Sequence, residues 1–272
     1  MKTVLIAVLL IAVVVVLAGW LIRPSNNRRW QVGQDVLPFA AFNGNMVTIH
    51  NLRNFTYNAD GTPVQARYED RTYDLDKLTS VWFVVSPFSH AKRGPAHTFL
   101  SFGFSDSQYV AISVEARREE GENYSVVKGL LRRFEIMYVV GDERDLIGLR
   151  ANIRNDDVYV YPIRTGADKA RAVFVQMLER ANTLREKPEF YNTITNNCTT
   201  NILKHANAVS PTRIPYGREV LLPGYADELA EKLGLIDSEL PIEKARIRFR
   251  VNERARRYAT DPDFSVKIRN VL

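Results

Sequence analysis

The chain has 272 residues, 46% of them hydrophobic and 25% charged, with a formal net charge of +6. That balance, with 14 Gly and 12 Pro, excludes a disordered tail, a collagen-like repeat and a polytopic membrane protein. One cysteine excludes an intramolecular disulfide, and with four histidines it is too little for a Cys-rich metal centre.

Residues 4–22 are nineteen positions without a charge. At ~1.5 Å rise per residue a helix of that length approaches ~30 Å, the thickness of a bilayer's hydrocarbon core. Trp20 suits the interface at one end. Lys2 flanks one side and Arg23, Arg28 and Arg29 the other, so charge alone argues against export of the main domain. A cleaved signal peptide is the rival, with Val16-Leu17-Ala18 before Gly19 as its small-residue site. The run is long for a signal core and continues through Leu21 and Ile22, which favours an uncleaved anchor. Residues 1–23 are therefore expected to be a transmembrane anchor or signal sequence, and the polar residues 24–37 a linker.

Apolar runs with strand character follow at 46–57, 64–75 and 80–88, with Asp60-Gly61 as a turn between the first two. Further strands are expected at 97–104 and 108–117, joined by Ser105-Asp106-Ser107, and at 134–140 and 158–163. Asp142-Glu143-Arg144-Asp145 has the charge pattern of a helix start. Ala172, Val173, Met177, Leu178, Ala181 and Leu184 recur at helical spacing within 168–185. A second helix is expected from Cys198 to about Asn207, and a third over 225–233, ending at Gly234. Strands first and helices later predict an α+β domain over residues 38–240, an antiparallel sheet packed against helices.

Residues 241–272 form a basic C-terminal extension, with nine Lys/Arg against four Asp/Glu. Arg246, Arg248 and Arg250 alternate with Ile247 and Phe249, the pattern of an edge strand with one charged face. The basic residues sit on a terminal strip without the aromatic interleaving that nucleic-acid binding wants, so no nucleic acid is expected. A solvated strip is one reading; contact with anionic lipid or cell-wall polymer is the other.

Cys198 stands in Asn196-Asn197-Cys198-Thr199-Thr200, an unusually polar setting for a structural thiol. Asn197, or Thr195, is a plausible N-cap, which places Cys198 in the first helical turn. There the helix dipole favours a thiolate, and unpaired amides could hold an oxyanion. Asn197, Thr199 and Ser113 are the candidate substrate and oxyanion contacts. A buried free thiol is the competing reading.

A thiol nucleophile needs a base. His50 lies in an early strand with no partner pattern, His90 lies in a loop beside Pro87 and Gly94, and His205 lies two turns beyond Cys198, ~10.5 Å along a helix. His97 heads the strand His97-Thr98-Phe99-Leu100-Ser101-Phe102, with His97 and Ser101 on the face away from Leu100 and Phe102. If Ser105–Ser107 is a three-residue hairpin loop, Phe104 faces Gln108 and His97 faces Glu115, at a Cβ separation of ~5 Å. Glu115 could then orient the imidazole. A two-residue slip would substitute Ser113 or Arg117, and a structural His–Glu pair is the alternative.

Ala96-His97-Thr98-Phe99-Leu100-Ser101-Phe102, Ser113-Val114-Glu115-Ala116-Arg117, Phe190-Tyr191-Asn192-Thr193 and Asn197-Cys198-Thr199-Thr200 together resemble the Lnb N-terminal periplasmic domain family of bacterial envelope proteins. The similarity spans roughly residues 35 to 240. The order of His, polar partner and Asn-Cys is more distantly similar to the circularly permuted papain-like superfamily, which includes NlpC-type peptidoglycan amidases and lecithin:retinol acyltransferase relatives. That resemblance implies a permuted papain-like fold, Cys198 as nucleophile and His97 as base, with Glu115 where the acyltransferase branch often has His.

The expectation is a single-pass protein of the bacterial inner membrane with its main domain in the periplasm. It would be a Cys198–His97–Glu115 hydrolase or acyltransferase acting on an amide, ester or thioester of a cell-wall or lipid-linked substrate, needing no cofactor and no metal. The membrane is its expected partner through residues 1–23, with peptidoglycan or anionic lipid as further contacts. A non-catalytic binding or assembly module is the alternative. No Gly-rich phosphate loop, dinucleotide fingerprint or His-Glu-x-x-His zinc motif is present.

Overall fold

A computed structural model describes residues 5–6, 22–90 and 93–270. The expected membrane segment lies outside the described residues apart from Leu5, Ile6 and Ile22, and among the described residues no helix is long and apolar enough to cross a membrane.

The alternating apolar runs pair into one sheet. Its strands are β1 Phe39–Asn43, β2 Met46–Arg53, β5 Tyr68–Asp74, β6 Leu78–Pro87, β7 Ala96–Phe104, β8 Tyr109–Arg117, β9 Glu135–Gly141 and β10 Tyr159–Pro162. Two short strands, β3 Thr56–Tyr57 and β4 Pro63–Gln65, form a separate hairpin. The order is β1-β2-β9-β8-β7-β6-β10, with β5 also on β2. Every pairing is antiparallel except β2 with β9, which meet at Arg53↔Gly141. The sequence pattern missed β1, a short strand that buries only Ala40 and so carries no alternation.

The helices are α1 Val126–Leu130, α2 Glu143–Gly148, α3 Ala167–Glu186, α4 Cys198–Val209, α5 Arg218–Leu221, α6 Ala226–Lys232, α7 Ile242–Phe249, α8 Asn252–Arg257 and α9 Phe264–Lys267. The amphipathic α3 buries Val173, Phe174, Met177, Leu178, Ala181 and Leu184, the face its spacing predicted. Asp142 caps α2 by accepting from the Arg144 amide, and α2 runs on into a π-helical turn, Leu149–Ile153. The mixed α+β class with a mostly antiparallel sheet is thus realised.

Helices cover both sheet faces. One face carries Phe83, Val85, Leu100, Phe102, Ile112, Val114 and Tyr138 beneath α3, α4 and α6. Burying each such side chain is worth roughly 1.5–3 kcal/mol. The other face carries Val84, Phe99, Ala111, Met137 and Val139 against Leu146, Ile147 and Ala151, with Ala255 and Phe264 from α8 and α9.

This second face also buries charge. Asp145 of α2 takes two bonds from the Arg53 guanidinium, both 2.9 Å, and Glu143 takes two from Arg269, at 2.6 and 2.7 Å. Bidentate geometry of this kind is what offsets the desolvation of buried ions.

Three expectations are corrected. The edge strand expected around Arg246–Arg250 is the helix α7, because Ala245 and Phe249, four apart, are its buried positions. Arg246 bonds Asp227 and Glu228 of α6, and Arg269 bonds Glu143, so part of the basic strip is built into the core rather than solvated. The polar stretch expected as a linker is packed: Arg28 pairs with Glu119 and Glu135, and Arg117 lies 4.1 Å over the Trp30 ring.

Candidate active site

The hairpin that carries the histidine forms as its alternation required. Phe104 N–H donates to the Gln108 carbonyl at 2.9 Å, and Ser107 adopts φ 64° to close the three-residue loop. The register is Phe99↔Ser113, Leu100↔Ile112 and Phe102↔Val110, the one that would set His97 against Glu115. Among the described residues the β7–β8 ladder ends at Phe99↔Ser113. Beyond it β7 stays on β6 as far as Pro87↔Ala96, while β8 stays on β9 as far as Arg117↔Glu135. His97 stands in this split between two strands.

His97 Nε2 lies 2.6 Å from Ser113 Oγ, and that hydroxyl donates to Glu115 Oε1 at 2.9 Å. His97 Nε2 and Glu115 Oε1 are themselves 3.8 Å apart. The expected direct His–Glu pair is therefore a relay with a serine inserted. Because the Ser113 proton goes to the carboxylate, its oxygen accepts from Nε2–H, and the network assigns the tautomer that leaves Nδ1 as the ring's proton acceptor. Ser113 is fully buried, with its hydroxyl bonded to His97 on one side and Glu115 on the other.

Arg150, from the π-helical turn, completes the cluster by donating to Glu115 Oε1 at 3.2 Å and to the Leu146 carbonyl at 3.0 Å. Its guanidinium lies 5.1 Å from the Phe99 ring centroid. Burial, reinforced by Arg150, pushes the His97 imidazole down to about 3, with Glu115 opposing. The ring is neutral at physiological pH, the state a proton acceptor needs. Burial works to raise the Glu115 carboxyl, but Arg150 and His97 outweigh it and hold the group well below the usual carboxylate range. Arg150 escaped the sequence reading; its one signal was a cation inside the apolar run Leu146–Ile153.

The cysteine opens α4 as its cap predicted. Asn197 Oδ1 accepts from Thr200 N–H at 2.9 Å, while Thr200 Oγ1 accepts from Asn197 N–H at 2.8 Å, a capping box. Asn197 Nδ2 donates to the Thr193 carbonyl at 2.6 Å. Its side chain thus serves the cap and the loop. The Cys198 and Thr199 amides remain as the first-turn donors.

Cys198 is buried at 7% exposure within the apolar cluster under α3 and α4. Its sulfur lies 3.7 Å from Thr199 Oγ1, and that hydroxyl lies 3.0 Å from Thr98 Oγ1. Tyr191, which the sequence reading names only within the family resemblance and gives no role, lies beside the thiol. Burial, then Cys198 and Tyr124 beside it, push its phenol far above the usual range, and its hydroxyl is 3.5 Å from that of Tyr124.

The structure therefore brings together His97, Ser113 and Glu115, and separately Asn197, Cys198 and Thr199. Thr98 and Thr199 join the two groups. The expected hydrogen bond between Cys198 and His97 is not made. Alternation along β7 puts Thr98 on the face that α4 covers and His97 on the face that α2 covers, so sulfur and imidazole approach the split from different sides. The other histidines have partners of their own: His50 bonds Asp70 at 2.7 Å, His90 bonds Asp157 at 2.9 Å, and His205 bonds the Tyr138 hydroxyl at 2.8 Å.

Beside Thr199 an apolar cavity of about 370 Å³ runs between α4, α6 and the sheet, walled by Leu100, Ile202, Leu203, Ala206 and Leu229. No group of three or more metal-ligating side chains occurs among the described residues.

The family model of the Lnb N-terminal periplasmic domain matches residues 64–223, more than half of the chain. The match contains His97, Ser113, Glu115, Arg150, Tyr191 and Cys198. No curated protein and no solved structure matches the chain.

Proposed function

Since the chain belongs to the Lnb N-terminal periplasmic domain family, and is thus an envelope-related protein of the periplasm, we propose that it is a thiol-dependent acyl-transfer enzyme with Cys198 as nucleophile. The observation that carries this reading is the His97–Ser113–Glu115 relay, which turns Nδ1 of a neutral imidazole into a proton acceptor one residue from the Thr98–Thr199 contact. In this reading the order of His97, Glu115 and Cys198 is that of a permuted papain-like enzyme.

The proposed steps need no cofactor. Rotation about the Cys198 Cα–Cβ bond turns the sulfur from Thr199 toward the split. His97 Nδ1 takes the thiol proton, and the sulfur attacks the carbonyl carbon of an amide, ester or thioester. The Cys198 and Thr199 amides hold the oxyanion. As the tetrahedral intermediate collapses, the bond to the leaving group breaks and His97 gives that group the proton. Water then releases the acid, or an amine or alcohol takes the acyl group. Ser113 and Glu115 are positioning residues that keep the imidazole in its tautomer.

The apolar cavity beside Thr199 favours a lipid-linked acyl group over a cell-wall peptide, because its walls offer a hydrocarbon chain burial and a peptide few hydrogen-bond partners. One observation favours a second reading, a non-catalytic envelope-binding module: the sulfur is bonded to Thr199 and not to His97. Cys198→Ala separates the two. Loss of hydrolysis of a long-chain acyl thioester with unchanged circular dichroism supports the enzyme. Turnover by the variant at the wild-type rate contradicts it, and absence of turnover in both proteins supports the binding module.

A further inference from the structure

The helix α1 is packed inside out. Its buried residue is Gly129, while Val126, Val127 and Leu130 are exposed, as is the following Leu131. Glycine is required at the buried position: a Cβ there would lie 2.3 Å from Thr193 Oγ1 and 3.3 Å from the Tyr191 ring. The helix therefore presses its smallest side against the loop ahead of Cys198 and offers its large apolar side chains to the outside. That loop adds Ile194 at 45% exposure, and Tyr216 at 51% exposure bonds the Ile194 carbonyl. Thr193 Oγ1 donates to the Val126 carbonyl at 3.0 Å, which makes these residues one continuous patch. Water penalises such a surface, and contiguous exposed apolar patches mark interaction sites.

The chain itself says what covers it. The uncharged residues 4–22 are joined through Arg23 to Pro24, and Pro24 lines the same cavity as Arg132, Tyr191 and Asn196. The most apolar stretch of the sequence thus joins the folded domain beside the patch. Arg23 and Arg133 are exposed at its margin, the sign that suits anionic headgroups.

We propose that this patch docks on an anionic lipid bilayer, with Val126, Val127, Leu130, Leu131, Ile194 and Tyr216 dipping into the headgroup–acyl boundary. Docking turns the Cys198 end of α4 toward the lipid. This goes beyond the proposed chemistry and does not depend on it; it depends on the membrane-seeking character of residues 4–22.

The test uses the full chain with Cys198→Ser, so that a single introduced cysteine carries an environment-sensitive fluorophore at position 127, 131 or 64. Val64, exposed at 63% on β4, is the control away from the patch. The protein is mixed with vesicles of equal parts phosphatidylglycerol and phosphatidylcholine. Flotation reads attachment of the chain, and quenchers carried on lipid or dissolved in water read docking. The proposal expects labels at 127 and 131 to shift to the blue and to be quenched several-fold more by the lipid-borne quencher than the label at 64. Equal quenching from water at all three positions on floated protein overturns it. So does failure to float, or protection of 127 and 131 without vesicles, which would assign the patch to a second copy of the chain. Removal of catalysis by the serine leaves all these readouts unchanged, so failure here and failure of the thiol chemistry are separate results.

Discussion

His97 and Glu115 share no direct hydrogen bond: at 3.8 Å from Nε2 to Oε1 they are bridged by the Ser113 hydroxyl, 2.6 Å from the imidazole and 2.9 Å from the carboxylate. This insertion decides which ring nitrogen is left to accept a proton, and in the proposed chemistry the serine is a positioning residue, where the sequence reading makes it a candidate substrate contact.

Ser113→Ala removes the acceptor for Nε2–H while leaving Cys198 in place. Stability should fall by about 1–3 kcal/mol, the cost of an unsatisfied buried donor. The rate of acyl transfer should fall by about 10²-fold, with KM changing little, because in the proposed chemistry the buried serine acts only through the imidazole. Ser113→Thr, which restores the hydroxyl, should recover most of the rate. A variant with equal losses in both, or no rescue, would show a purely structural role.

Glu115→Gln leaves the Arg150 guanidinium buried without its counter-charge. The expected loss is about 3–5 kcal/mol in urea unfolding, since removal of one partner of a buried pair strands the other. Glu115→Gln combined with Arg150→Met should recover part of it. Additive losses in the double variant would mean that the two groups do not couple.

Stability should fall with acid, and the sign follows from two histidines. Burial and nearby Arg150 lower His97 from 6.5 to about 3, and burial with Arg180 and Lys204 lowers His205 from 6.5 to about 4. Below 6.5 the unfolded chain takes these protons and the native chain does not. The stabilisation is therefore complete above pH 6.5 and is lost as pH falls toward 4, at ~1.4 kcal/mol per pH unit for each histidine. Glu115, whose folded carboxyl is held below its ordinary value of 4.5, adds to the loss under that pH. Urea midpoints measured from pH 7 to pH 4.5 should show a shallower slope in His97→Gln; an unchanged slope would contradict the neutral buried ring.

Ala206→Phe would place a ring inside the apolar cavity beside Thr199. If that cavity holds the acyl chain, the preference among acyl thioesters should move from long chains to short ones, with the rate on short chains retained. A uniform change across chain lengths would place the acyl group elsewhere.

Much of this was legible in the sequence. The alternation of Leu100, Phe102 and Phe104 against Val110, Ile112 and Val114, with a three-residue turn between, sets the β7–β8 register that forms. The cap Asn197 and the spacing of α3 are equally local signals, and both structures appear where they predict. The rest depends on tertiary contacts that local pattern does not encode. Where the β7–β8 ladder stops decides whether Ser113 or Glu115 meets the imidazole, and that follows from β8 staying with β9. Arg246-Ile247-Arg248-Phe249-Arg250 alternates like a strand, yet Arg246 finds Asp227 and Glu228 only from a helix packed on α6. Arg150 reaches Glu115 from the π-helical turn after α2, a segment whose sequence shows only an apolar helix with one cation in it.

The most direct test of the central claim is intact-protein mass spectrometry after brief exposure to a long-chain acyl thioester, followed by peptide mapping. The wild-type chain should gain one acyl group on the peptide containing Cys198, and His97→Ala should gain it far more slowly with its fold retained. Absence of an adduct on Cys198, or acylation of His97→Ala at the wild-type rate, would contradict a thiol nucleophile served by that imidazole.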